Sequence, residues 1–98
     1  MDKIIIDGKE YNVIKNYRDA LNIADLEGKI TEYFDNFDYI LGDYAYGKVR
    51  LKGFNEKENK NYKPINDYAK IDEYIENNCA YNCKYFILKS LCRFVKHK

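Results

Sequence analysis

The sequence has no tryptophan, one proline, one methionine, one histidine and three cysteines among 98 residues. Each scarcity narrows the chemistry. The single histidine, His97, is the penultimate residue, where disorder is the default, so no Ser–His or Cys–His nucleophile pair lies in the folded part. Long apolar runs are missing too. Ile4-Ile5-Ile6 and Tyr85-Phe86-Ile87-Leu88 are the longest, far too short to span a bilayer as a helix. The acidic start Met1-Asp2 lacks the basic-then-apolar layout of a secretory signal, so the expected compartment is the cytoplasm. Excess charge of either sign is absent, at net +1. Any attraction to nucleic acid or anionic lipid must come from local patterning. Gly42, Gly47 and Gly53 follow no strand-to-helix turn, which excludes a P-loop or dinucleotide fingerprint.

Cys79, Cys83, Cys92 and His97 fall in the order Cys-x3-Cys-x8-Cys-x4-His. Structural zinc sites use tighter, characteristic ligand pairs, and a reducing cytoplasm disfavours a disulfide. Free, buried thiols without metal are the expectation. Asp35 with Asp38, and Asp72 with Glu73 and Glu76, read as solvated helix-end or helix-face charges. No catalytic residue and no cofactor are expected.

What the chain does have is lysine, tyrosine, asparagine and isoleucine. Lysine outnumbers arginine 14 to 3, and there are 11 tyrosines. These residues have AT-rich codons, so a low-GC genome supplies them without selection on the protein. A hydrophobic share of 46% with 34% charged residues fits one globular domain over 1–98, with a basic tail from about 93.

Local patterns give the order ββαββαβ. "IIIDGKEYNVI" places two strands, near 3–6 and 10–14, around Asp7-Gly8, a dipeptide suited to a type I′ turn. Leu26, Ile30, Tyr33, Phe34 and Phe37 share one helical face, predicting a helix near 23–36. Asn22 is its cap with Asp25 three residues on, and Gly28 weakens it by roughly 1 kcal/mol. "DYILGDYAYGKVRLKGF" predicts a hairpin with strands near 38–43 and 48–54. "NEKENKNYK" reads as a polar loop without core residues. A second helix follows near 67–78, carrying Ile71, Tyr74 and Ile75, and then a central strand, apolar on both faces, across 85–88. The predicted class is α+β, a mainly antiparallel sheet with two helices on one face.

Phe37 to Phe54 resembles the hairpin "YDYIVGDWGYGQLRLKGF" of the YutD-like family of low-GC bacteria. Cys79 to Lys89 is similar to its "CNFGCAYFVLK", and "IKNYRDA" at 14–20 also matches. The chain departs from the pattern at Tyr44 (Trp in the family), Ala45 (Gly), Lys48 (Gln) and Asn82 (Gly). The resemblance implies a small cytoplasmic α+β domain and implies no activity.

The candidate binding surface is the hairpin: Asp43, Tyr44, Tyr46, Lys48, Arg50, Lys52 and Phe54. Basic side chains at strand spacing can contact successive phosphates, and aromatic rings can stack on bases. Asp43 is positioned to hold the Arg50 guanidinium across the strands. Lysines on such a strand also serve simply to keep an edge from pairing. The reading is a non-enzymatic binding module with RNA or a ribonucleoprotein as leading partner. A protein–protein adaptor using the same face or a strand edge comes second, and an enzyme on a small substrate third. Val49 and Leu51 are expected beneath the helices, with Lys48, Arg50 and Lys52 pointing away from them.

Overall fold

Twice the chain reverses direction on two residues, at Asp7-Gly8 (φ +52° and +82°) and at Tyr46-Gly47 (φ +54° and +77°). Both are left-handed pairs, as a type I′ turn requires. In the computed structural model, which describes residues 2–78 and 84–91, the first turn joins β1 (Asp2–Ile6) to β2 (Lys9–Tyr17). The second joins β3 (Tyr39–Ala45) to β4 (Lys48–Phe54). The last strand, β5 (Tyr85–Ser90), lies between the two hairpins. The sheet order is β1-β2-β5-β3-β4, with every neighbouring pair antiparallel. The α+β class, the element order and the central place of the last strand are as predicted.

The segment predicted as one helix over 23–36 is instead two pieces. A four-residue α1 (Ile23–Leu26) is followed by a 3-10 turn over Glu32–Asn36. Gly28, at φ +80°, breaks the path. Its N–H donates to the Asp7 carboxylate at 2.8 Å, tying this segment to the first hairpin turn. Leu26 at the end of α1, Ile30 in the link between the pieces and Phe34 in the 3-10 turn still pack into one core. Asn22 caps α1 by accepting from the Ala24 N–H at 3.1 Å. The second helix is α2 (Ile71–Asn78), preceded by a 3-10 turn over Tyr68–Lys70.

The placement of the helical segments also differs from the prediction: they cover opposite faces of the sheet. Ile6, Tyr11, Ile40, Phe86 and Leu88 pack with Ala20, Leu26 and Ile30 on the first face. Tyr39, Leu41, Phe54 and Ile87 pack with Ile71 of α2 on the second. Consecutive residues of β3 and β5 alternate between the clusters, as strand geometry demands. Five strands with apolar residues on both sides need cover on both sides.

The polar segment after β4, predicted to lack core residues, begins with one of the most buried side chains, Asn55 at 0% exposure. Its Oδ1 accepts from the Asp38 N–H at 2.7 Å and from Asn59 Nδ2 at 3.1 Å. Asp38, expected to be solvated, is buried as well, and accepts from the Glu56 N–H at 3.0 Å and from Asn59 at 3.1 Å. Asp35 forms an ion pair with Lys9 at 2.7 Å. The loop thus folds back because the Asp38 carboxylate and the Asn55 side-chain oxygen satisfy backbone donors that burial would otherwise strand, while Asn55 Nδ2 is buried without a partner among the described residues.

Candidate functional site

Direct cross-strand pairing sets the hairpin's chemistry. Asp43 faces Arg50, Leu41 faces Lys52 and Tyr39 faces Phe54, all on the second face, while Tyr44 faces Val49 and Gly42 faces Leu51 on the first. Val49 and Leu51 pack toward the α1 cluster, as expected. The row of basic residues points away from α1 but toward the side that α2 covers, which corrects the expectation that it faces away from both helices.

Arg50 is closed onto Asp43. Its Nε donates to Oδ1 at 3.0 Å and its Nη2 to Oδ2 at 2.7 Å, a two-pronged contact with a buried aspartate. Nη2 also lies 3.5 Å from the carbonyl of Asn78, the last residue of α2, where a cation suits the helix dipole. The hydrogen bonds from Arg50 to Asp43 raise the guanidinium pKa further above its already high value. Lys52 holds its ammonium 5.1 Å from the Phe54 ring and 5.4 Å from the Tyr74 ring, a cation–π arrangement. Phe54 is 2% exposed and packs edge-on against Tyr74, so it is core. It offers no ring to an outside base.

Tyr44 is half-buried on the first face. Its hydroxyl donates to the Asp25 carboxylate at 3.0 Å, and burial first, then that bond, pushes its pKa up to about 12. Asp25 is therefore engaged by Tyr44, not by a reciprocal capping bond to Asn22. Lys84 lies over the Tyr44 ring at 4.7 Å. Tyr46 and Lys48 stand exposed at and beside the turn. Tyr46 is fully exposed although its backbone is left-handed, a conformation that costs a non-glycine residue about 1 kcal/mol and favours Asn or Gly.

The structure adds a feature that the sequence reading missed. A groove of about 490 Å³ runs beside β4, its lining including Leu51 and Gly53 together with Tyr33, Phe37, Lys63 and Ile65. Local sequence gave no sign of it. The loop carrying Ile65 is brought there by the Asn55–Asp67 bridge, in which the Asn55 N–H donates to the Asn66 carbonyl at 2.8 Å and its carbonyl accepts from Tyr68 at 2.9 Å.

Among the described residues no three His, Cys, Asp or Glu side chains gather as a metal site. Cys79, Cys83, Cys92 and His97 lie outside the described residues. No helix among the described residues is long and apolar enough to cross a membrane.

Residues 5–89 match the family described as "Putative antitoxin YutD-like". Over 88 residues the chain is 33% identical to a Bacillus subtilis (strain 168) protein named "Putative antitoxin YutD", covering 90% of this chain and 97% of that one. The solution NMR structure of protein yutD from B. subtilis is similar with a TM-score of 0.73 at 32% identity, covering 93% of this chain and 83% of that chain. The matched residues run from β1 to β5 and take in both hairpin strands and both helical segments, and the chain belongs to the YutD-like family.

Proposed function

We propose that this protein works without catalysis, in the cytoplasm, by binding another protein through the tip and outer edge of the β3–β4 hairpin. One observation carries the reading. Tyr46 is held fully exposed at a turn position where its backbone is disfavoured, and exposed tyrosine is a preferred anchor of protein interfaces. The family description, which names an antitoxin, supports a protein partner. RNA is disfavoured by the same geometry. Of the aromatic rings proposed for stacking, Phe54 is buried and Tyr44 half-buried, leaving Tyr46 as the one fully exposed ring of that set.

The test uses tagged protein and lysate of the source cells, with and without nuclease, for wild type and Tyr46→Asn. Asparagine relieves the left-handed turn, so the variant melts a few degrees higher, about 0.5–1 kcal/mol of added stability. The expected result is a protein retained through nuclease by the wild type and lost from this more stable variant. Material stripped by nuclease, or full retention by Tyr46→Asn, overturns the proposal.

A further inference from the structure

Resting on that reading, we infer that the outer edge of β4 receives an extended segment of the partner as a sixth strand, carrying carboxylates four residues apart with apolar residues between them. The backbone phase supplies the first step. A two-residue turn makes Ala45 and Lys48 a hydrogen-bonded pair, and the antiparallel ladder then alternates. Asp43–Arg50, Leu41–Lys52 and Tyr39–Phe54 are bonded inward, so Val49, Leu51 and Gly53 turn N–H and C=O outward. Asn55 continues this phase, and there the edge is already taken, by Asn66 and Tyr68. Among the described residues no strand pairs the stretch from Lys48 to Gly53.

Side chains supply the chemistry. On the second face an incoming strand meets Lys48, Arg50 and Lys52 in turn. Asp43 neutralises Arg50, leaving Lys48 and Lys52 as the two positive positions, four residues apart. Opposite charges facing each other across a strand pair stabilise it. On the first face the same strand lies beside Val49 and Leu51, half-buried, and runs into the groove with Tyr33 (63% exposed) and Ile65 (77% exposed) on its walls. Among the described residues no carboxylate lines that groove, and Lys63 adds a further positive group. Lysines alone would protect an edge from pairing, but a protective edge has no use for exposed apolar walls. A second copy of this chain is a poor occupant, since antiparallel β4–β4 pairing centred on Arg50 faces lysine with lysine.

The probe is the synthetic peptide Thr-Glu-Val-Gln-Val-Glu-Thr, titrated into 15N-labelled full-length protein, with Thr-Lys-Val-Gln-Val-Lys-Thr as control. Expected are shifts and new exchange protection at the amides of Val49, Leu51 and Gly53, while those of Lys48, Arg50 and Lys52 keep their existing protection. The acidic peptide binds about tenfold tighter than the basic one, and Lys48→Glu/Lys52→Glu inverts that preference. Val49→Pro, which removes one outward donor and no bond to β3, abolishes binding while the remaining strand amides keep their pattern. Equal affinity for the two peptides, no shift at β4 up to about millimolar peptide, or shifts without protection of the outward amides overturns the inference. If the peptide fails while nuclease-resistant capture through Tyr46 persists, strand addition alone falls. If a uridine oligonucleotide shifts these residues in its place, the protein-partner reading falls with it.

Discussion

Arg50→Met removes both hydrogen bonds that Arg50 gives Asp43, and the cost depends on which partner's environment dominates. Arg50's side chain is 51% exposed and Asp43's 7%. An exposed ion pair contributes about 0–1 kcal/mol, whereas hydrogen bonds to a buried charge contribute about 1.5–3 kcal/mol, because the loss falls on the group that cannot turn to water. Asp43 is that group, so Arg50→Met should cost about 2–3 kcal/mol. Against a total of about 5–10 kcal/mol for a domain of this size, the melting temperature falls by about 10–20 °C. Arg50→Lys keeps the charge but loses the fork, and should cost about 1–1.5 kcal/mol. That exceeds the half kilocalorie expected of an exposed site.

Urea unfolding followed by tyrosine fluorescence and far-UV circular dichroism, with no tryptophan to interfere, gives the stability of Arg50→Met, Asp43→Asn and the double variant. The cycle should show a coupling of about 1–2 kcal/mol, since Asp43→Asn removes the charge that makes the arginine necessary. A loss below about 0.5 kcal/mol for Arg50→Met, or strict additivity, refutes the argument that the burial of Asp43 governs the pair.

Gly42→Ala would set a methyl onto the Phe86 ring, costing about 2–3 kcal/mol; urea midpoints should show a smaller cost in a Phe86→Leu background. Asn55→Ala removes the acceptor of the buried Asp38 N–H, costing about 2–3 kcal/mol and speeding proteolysis within 56–67. Tyr44's raised pKa means its contribution is complete below about pH 10 and lost as pH rises through about 12. Stability of the wild type should therefore fall across that window, and fall less in Tyr44→Phe, by urea midpoints at each pH.

The hairpins were legible because each rests on a local requirement. Asp7-Gly8 and the glycine at 47 mark positions where the backbone is left-handed, and strand alternation from the turn fixes the Asp43–Arg50 register. The central strand was legible because residues 85–88 are apolar on both faces. The first helix was not, since a period of i, i+4, i+7 reports which side faces inward, not whether the chain between stays helical. A short helix, a link through Gly28 and a 3-10 turn keep Leu26, Ile30 and Phe34 inward as well as a continuous helix would. Which face each helical segment covers depends on how its connections cross the sheet, which no window of sequence contains.

Phe54 shows the same limit within one strand. Alternation places it correctly with Lys48, Arg50 and Lys52, yet that face is exposed at the turn and buried under α2 six residues later. The boundary is set by Asn55, whose side chain holds Asp38 and whose backbone binds Asn66 and Tyr68. Those bonds close the β4 edge at its end and bring Ile65 alongside the part that stays open. One asparagine at the start of a lysine-rich loop thus divides β4 into a stretch that belongs to the core and a stretch that can still accept a strand.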